Sequence, residues 1–505
     1  MINEQKVDNY ETFDILLTVK SPVHIGCDEC YEPHSYKILN DKIVVFNELD
    51  FFKNLAKEER DKISAGALNA IDDVKYKEIC DYIQKINGNN LEGKEIVVSS
   101  DFKKEYENAK TFKQFDIART AYLKNDGRPY IPGSSIKGSL RTAYLNLISK
   151  KKNLKLDGII SSNSNENNKI AKRFESKLLN ADIDETKTDP FRLVKISDFL
   201  PIGDVKTKIV YAKNFKKKNG NGRNLTFKSR LEVIPAGSQF YGKISILQPL
   251  DNKEYIKEAV TVPNLQASIK EFYVNKYKID INRPYYFLGK GYTINKRIDN
   301  FEGKYLLQVG RYSGADAVTI ENRRQINIKQ IHKTLSSTTT IWLANESDDV
   351  KTGDKLEFFS WVEIEKCDEK KLKEFTTINN NYLQCVINDK FAKKQSELEK
   401  SKQKQLEQEM LKAKEEELRK QKEEQERFNA LLKEEQVLIK LQNKDLLDNE
   451  VGEFFKFFKE LADTNIYKIK LANAFKEHYI ANNKWDNQKK KQGDKVQYIK
   501  QVLGE

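Results

Sequence analysis

From Lys390 to Leu441 the chain runs for 52 residues without a proline or glycine and is built almost entirely of Lys, Glu and Gln. So polar a stretch cannot bury enough apolar surface to close a core, and nothing in it interrupts a helix. It predicts one long helix. Leu411, Leu418, Leu432 and Ile439 fall on a seven-residue repeat, but Gln425 fills the slot between the middle pair and the alternating line is mostly charged. A two-stranded coiled coil needs both lines apolar. Pairs such as Glu415 with Arg419 and Glu416 with Lys420 would each stabilise a lone solvated helix by about 0.2–0.5 kcal/mol. The reading is a charged helical arm over 388–444. Beyond it, Phe454, Phe455, Phe458, Leu461, Leu471 and Phe475 predict a small helical domain over 445–505. The main fold must lie within residues 1–387.

Charge points the same way. The 505-residue chain carries a net +13, with a pI near 9.0. Residues 389–447 hold 15 Lys+Arg against 14 Asp+Glu, and 448–505 hold 11 against 9, so +10 falls on residues 1–388. A basic globular body suggests a polyanionic partner, nucleic acid first. Five cysteines, an odd number in a long chain, do not make a disulfide framework. Met1 to Tyr10 is polar and acidic, so no signal peptide is expected, and no apolar run approaches a membrane span. The expected compartment is the cytoplasm, with no membrane partner.

The most informative short stretch is Tyr130-Ile-Pro-Gly-Ser-Ser-Ile-Lys-Gly-Ser-Leu-Arg141. An apolar run ends in the turn signal Pro132-Gly133, and Ile136, Leu140, Ala143 and Leu147 then follow at helical spacing. Ser134 or Ser135 is expected to cap this helix. Lys137 and Arg141 stand four apart on one face, just past an N-terminus whose free N–H groups attract phosphate oxygens. The spacing is not that of a Walker A loop, because the lysine precedes the second glycine.

Elsewhere, alternation from Thr12 to Val19 predicts a half-buried strand, Tyr36 to Phe46 a hairpin turning at Asn40-Asp41, and Glu48 to about Phe115 a mostly helical insertion. Asn153 to Asn168 is Ser/Asn-rich and reads as a mobile loop. Val205 to Leu231 holds nine Lys+Arg and no acid, with Ile209-Val210-Tyr211 and Leu225-Thr226-Phe227 expected to pair around an Asn-Gly tip. A solvated hairpin would mix signs. Lys213, Lys216, Lys217, Arg223, Lys228 and Arg230 are therefore candidates for phosphate contacts. Phe215 or Phe227 could pack on bases, although core packing is the commoner role. Trp342 and Trp361 are expected in the core. Gly310-Arg-Tyr-Ser-Gly314, flanked by Arg311, Arg323 and Arg324, allows close backbone approach to RNA.

His24-x2-Cys27-x2-Cys30-x3-His34 gathers four N/S side chains within eleven residues, enough for a tetrahedral zinc site. Free thiols are the default reading, and neither metal nor cofactor is expected.

The stretch Pro132-Gly-Ser-Ser-x-Lys-Gly-x-x-Arg141 resembles the signature of the RAMP proteins of CRISPR effector complexes. Four further segments narrow the resemblance to the subunit that caps the far end of type III-A (Csm) complexes. They are Ser21-Pro-Val-His-Ile-Gly26 with Tyr31-x-Pro33-x-x-Tyr36; Asp189-Pro-Phe-Arg192 with Val194-x-Ile196-Ser-Asp198; Glu232-x-x-Pro235-Ala-Gly237-Ser-x-Phe240; and Val309-Gly-Arg-Tyr-Ser-Gly314. The resemblance implies an α+β fold of two tandem ferredoxin-like, RRM-like (RAMP) domains with helical insertions, here 1–200, with the insertion over about 48–115, and 201–387. It implies a basic thumb hairpin over 206–231, in the place the residues suggest. It implies a non-catalytic subunit that binds the 3′ portion of the guide RNA (crRNA), caps the filament and serves antiviral defence. The RNA contacts it carries over are Gly133, Ser134, Ser135, Lys137, Arg141, Arg192, Gly310, Arg311 and Gly314. Partners would be crRNA, with target RNA and host nucleases as further candidates, and other Csm subunits, but not DNA. Two enzymatic rivals stay open: a histidine endonuclease using His24, and a metal-dependent one using Asp28. A third alternative is a scaffold that recruits proteins through the long helix.

Overall fold

The computed structural model describes residues 10–68, 73–86, 91–112, 114–154, 170–182, 184–217, 229–249, 255–282, 293–294, 304–328, 333–351, 353–442, 446–486 and 490–505. The contacts divide the chain into two compact units, Met1–Val386 and Ile387–Glu505.

Along the first unit, β1 (Tyr10–Val19) and β2 (Gly26–Tyr31) precede the hairpin β3 (Tyr36–Leu39) and β4 (Lys42–Phe46). Helices α1 (Glu48–Asn54), α2 (Lys57–Leu68) and α3 (Asp73–Lys85) lead to β5 (Gly93–Val97), α4 (Ser100–Asn108) and β6 (Ile117–Thr120). The signature helix α5 (Gly133–Lys152) and α6 (Ile170–Leu179) come next, then β7 (Val194–Ile196), β8 (Leu200–Pro201), β9 (Thr207–Lys216), β10 (Arg230–Val233) and β11 (Gln239–Leu247). Helix α7 (Val262–Ile269) continues through one π-helical turn into α8 (Asn275–Asn282). The unit finishes with β12 (Thr293–Ile294), β13 (Tyr305–Gln308), β14 (Ile326–Ile328), β15 (Lys333–Leu335), β16 (Thr340–Asn345), β17 (Lys355–Phe358) and β18 (Trp361–Lys366).

Two large sheets organise these strands. The first runs β13-β18-β1-β11-β7, with β8 also on β11; the second runs β12-β17-β16-β9-β10-β6-β2, with β3, β4 and β5 joined to it through β9. Both draw strands from either side of residue 200, so the two halves of the sequence are interleaved in each, while the small hairpin β14-β15 stands apart within the second half.

β1 shows how pattern becomes packing. Ile15, Leu17 and Val19 turn into the main core, where α5 and α7 cover the sheet with Leu140, Ala143, Leu265 and Ile269. Alternation predicts a solvated second face, yet Leu16 is buried as well, against Ile202 and Phe375. Phe375 belongs to α9 (Glu369–Ala430), which starts some twenty residues before the expected arm. Its opening turns lie against this sheet, and Asn379 Oδ1 accepts from the Gly203 N–H at 2.8 Å. The helix also stops short of its expected end: Leu431 and Leu432 break it from α10 (Lys433–Gln442).

The insertion is not wholly helical. β5 pairs antiparallel with β4 and parallel with β9, an assignment its mixed composition hides. Tyr36, Phe102, Tyr106, Phe112 and Phe115 build an aromatic core against Ile209 and Tyr211 of β9. The opposite face of β9, Val210 and Ala212, packs on Val233 and Phe359. Covered on both faces, β9 reads as a continuous apolar run.

In the second unit α10 packs with α11 (Asp448–Glu460), α12 (Tyr467–Ala481) and α13 (Lys490–Leu503) around Phe455, Phe458, Leu471 and Phe475.

Candidate nucleic-acid interface

The five motif segments, scattered over 300 residues, meet in space. Val23 bridges Ile234 in an antiparallel pair, and Ile131 bridges Phe199. Ser139 of α5 donates to the Gln308 carbonyl at 2.5 Å. The Arg311 N–H donates to the His24 carbonyl at 2.9 Å. Gly310, at φ 86°, lies so close to His24 that a Cβ would strike the same carbonyl.

The start of α5 departs from expectation. The helix begins at Gly133 with Pro132 at the N-cap, so Ser134 and Ser135 lie inside its first turn rather than capping it. The capping group comes from another motif: Asp198 Oδ1 accepts from the Gly133 N–H at 2.8 Å. A Cβ on Gly133 would meet the carbonyls of Ile196 and Ser197 at 2.5 and 2.6 Å, which is the physical need for glycine here. Backbone packs on backbone at this point, and one of the N–H groups expected to be free is engaged. Ser134 and Gly138 are exposed, and Ser135 is half-buried.

The expected cations fall into two groups. Arg141 is a structural tie: Nε and Nη2 donate to Glu175 at 3.2 and 3.1 Å, and Nη1 donates to Asp189 at 3.0 Å. Arg230, expected on the hairpin surface, is buried with its guanidinium on Glu105 and over the Phe115 ring. Lys213 is likewise buried on Asp348. Lys217 binds Asp316 at 2.8 Å. Burial alone would raise the Asp316 carboxyl, but Lys217, Thr338 and Arg324 outweigh it and hold the carboxyl well below the usual range. Arg323 donates to the Leu154 carbonyl, and Arg324 to Thr319 and the Asp316 carbonyl. For Arg141, Arg230, Lys213 and Lys217 the acid lies far away in sequence, whereas Arg323 meets backbone carbonyls and Arg324 sits on nearby Asp316. Phe215 takes the core role.

The second group faces outward. Lys137 is half-buried and makes no ion pair among the described residues; its burial and the charges of Lys195 and Arg141 push its pKa down, against the pull of Asp189. Arg192, Lys195 and Lys216 are exposed. Lys195 was missed in the sequence, although its place between the inward-facing Val194 and Ile196 marks it as outward. Arg311 is exposed and pairs with Asp28 at 3.0 Å. Arg223, Lys228, Phe227, the Asn-Gly tip and nearly all of the Asn153–Asn168 loop lie outside the described residues. On the hairpin stem, Ile209 pairs with Glu232 and Tyr211 with Arg230, while Asn214, Phe215 and Lys216 pair with β16. The stem is thus a central strand of the large sheet.

His24 is fully buried. Its Nδ1–H donates to the Glu232 carbonyl at 2.8 Å, and burial lowers its pKa. His34 turns away onto Tyr76, beside Glu48. Cys27 donates to the Arg119 carbonyl, and Cys30 is exposed. Among the described residues no three His, Cys, Asp or Glu side chains gather as a metal site. Nor is any helix among them long and apolar enough to cross a membrane.

Comparison with known proteins agrees with this convergence. The model of the RAMP superfamily matches residues 16–441. The Csm5 protein of a CRISPR system in Mycobacterium tuberculosis (strain CDC 1551 / Oshkosh) is 23% identical over 203 residues, 37% of this chain and 54% of that protein. The Csm5 protein of Streptococcus thermophilus is 22% identical over 223 residues, 43% of this chain and 60% of that protein. The chain thus spans between half and two thirds of the length of these curated relatives. Among solved structures, a chain of a Csm–crRNA–target RNA ternary complex from a type III-A CRISPR-Cas system matches with a TM-score of 0.47 at 18% identity, covering 70% of this chain and all of that one. The crystal structure of T. onnurineus Csm5 matches with a TM-score of 0.46 at 18% identity, covering 69% and 99%. With the family model running through all five converging segments, the chain belongs to the RAMP superfamily.

Proposed function

We propose that this protein is a non-catalytic RNA-binding subunit of a type III-A CRISPR (Csm) interference complex. It holds the 3′ portion of the crRNA, caps the RAMP filament and so supports maturation of the crRNA 3′ end. Its body would be two interleaved ferredoxin-like halves, near 1–200 and 201–387. The observation that carries the reading is the outward cation set at the meeting point of the motifs. Lys137 stands on the first turns of α5, and Arg192 and Lys195 lie on the segment that docks there, with no counter-ion among the described residues. Cations without an ion-pair partner of their own favour a phosphate backbone, and they carry no sequence information. The named relatives, which are Csm5 proteins, support the choice of complex.

The histidine-enzyme reading loses support because His24 is sealed from solvent. The decisive experiment is a binding and cleavage assay with labelled guide RNAs shortened stepwise from the 3′ end. Affinity should fall as the 3′ portion is removed, and the RNA should stay intact with and without divalent metal. Indifference to the 3′ portion, or cleavage that His24→Ala abolishes, overturns the reading.

A further inference from the structure

A helix that packs on one side and meets only water on the other carries polar and charged residues on its outer face. The outer face of α12 breaks that rule. Leu471, Ala472, Phe475 and Tyr479 point into the core of the second unit. On the opposite side Ile466, which precedes the helix with helical backbone, Ile469 and Ile480 are 78%, 61% and 50% exposed. With Asn473 they follow at steps of three, four and seven residues, the a and d positions of two heptads, so they line one stripe. The remaining d position holds Lys476, which pairs with Glu505. Single exposed apolar residues are ordinary on any surface, but three β-branched ones aligned on one helix form a contiguous patch.

The flank of the stripe says what covers it. Lys470 and Glu477 stand seven residues apart on the same side, both exposed, and neither makes an ion pair among the described residues. The Lys470 ammonium lies 5.4 Å from the Tyr467 ring. A flank with one cation and one anion at this spacing is complementary to itself when reversed. In an antiparallel helix pair two such flanks lie side by side, whereas in a parallel pair each faces the opposite flank and these charges do not meet. Asn473, midway between them, donates its Nδ2 to the Ile469 carbonyl at 3.2 Å, which leaves its carbonyl oxygen and second N–H for another amide. A lone asparagine in an apolar seam fixes register and partner number at a cost in stability.

We propose that this stripe joins two copies of the chain through an antiparallel pair of α12 helices, related by a two-fold axis beside Asn473. Ile466 of one protomer lies against Ile480 of its partner, and Lys470 meets Glu477 of its partner. The axis repeats each contact and brings the two Asn473 amides together. Three isoleucines per copy fall well short of the roughly 800 Å² that each partner buries in a standard stable interface, so the pair is weak, with a dissociation constant on the order of 100 µM. It forms where copies are concentrated. The inference goes beyond the RNA-binding reading and does not depend on it.

Sedimentation equilibrium of the full-length protein at low salt, from about 5 to 500 µM, tests it. The wild type should pass from monomer to dimer across that range. Ile469→Glu sets two carboxylates in the seam and should weaken association at least tenfold. Lys470→Glu and Glu477→Lys should each weaken it severalfold by placing like charges opposite one another. An equimolar mixture of those two variants should associate as tightly as the wild type, because the mixed pair again opposes unlike charges at both places. A wild type that stays monomeric throughout overturns the proposal and leaves the stripe to a different protein. A dimer indifferent to Ile469→Glu overturns it too, as does a mixture that associates no better than either variant alone. Should Ile469→Glu fail to fold, the mixing experiment decides by itself.

Discussion

Replacing Arg141 and Lys137 one at a time separates two roles that the sequence presents as one. The Arg141 side chain is 27% exposed, and its partners Glu175 and Asp189 are 37% and 32% exposed. Buried hydrogen bonds to charged groups contribute about 1.5–3 kcal/mol, and exposed ion pairs about 0–1 kcal/mol. A half-solvated fork on two carboxylates falls between these limits, near 1 kcal/mol for each acid. Arg141→Ala should therefore destabilise the first unit by about 2 kcal/mol. At about 2 °C per kcal/mol for a body of this size, the melting temperature should fall by about 4 °C. Lys137→Ala removes no ion pair and should leave the melting curve within about 1 °C. Guide RNA binding should show the reverse: Lys137→Ala should weaken it about tenfold and lower the log–log salt slope by about 0.7, one single-strand phosphate contact. Scanning fluorimetry and filter binding across a salt series measure both. An Arg141→Ala protein that melts like wild type, or a Lys137→Ala protein with an unaltered salt slope, refutes the assignment.

Other outcomes follow from particular contacts. Gly310→Ala places a Cβ on the His24 carbonyl at positive φ and should cost about 2 kcal/mol or more, whereas Gly138→Ala, in open space on α5, should stabilise by about 0.5–1 kcal/mol; urea melts check both. Phe375→Ala should cost about 3 kcal/mol and speed proteolysis near Ile202, because Phe375 covers the second face of β1. For the same reason a 1–388 fragment should fold and bind guide RNA like the whole chain, while one ending at 368 should not fold; circular dichroism of the two fragments decides. Alkaline stability is set by buried phenols. Burial is the leading cause that raises Tyr31, Tyr36, Tyr106, Tyr211 and Tyr273 above their ordinary value of 10.0, and it raises Cys80 to about 12. The folded state holds these protons more tightly than the unfolded chain, so their contribution is complete below pH 9 and lost as pH rises past 10. The late part of the tyrosinate absorbance rise, due to these buried phenols, should then coincide with loss of circular dichroism; its completion in a protein that keeps its circular dichroism would contradict the reasoning.

What the sequence disclosed was local. Strand β1, the Asn40-Asp41 hairpin and the body of α5 are written in periods of two and 3.6 residues and in turn residues. The motifs were legible too, and their convergence is what the fold adds. Their partners were not legible. Nothing near Arg230 signals Glu105, and nothing near Arg141 signals Asp189, so both read as free surface cations. A lysine or arginine in a basic stretch is assigned by its neighbours in the chain, while its burial is decided by acids a hundred residues away. β5 stayed hidden because Gly93-Lys-Glu carries no alternation, and its pairing with β9 supplies what composition lacks. The first turns of α9 were assigned to the body without structure because the apolar residue that roots them, Phe375, is isolated among charges.

The place of β1 also dictates how a ribosome must deliver this molecule. Its register joins Thr12 to Ser245 on one side and Val19 to Val362 on the other. At elongation rates of about 5–20 residues per second, its apolar face waits roughly 12–45 s for the first neighbour and roughly 17–70 s for the second. Throughout that interval Ile15, Leu16 and Leu17 have no strand to join, and an unpaired apolar strand is a site for aggregation. The first unit therefore cannot fold half by half as it emerges. Its oldest strand is among the last to be enclosed, and yield in cells should respond to chaperone supply and to slowed translation more than to gains in final stability.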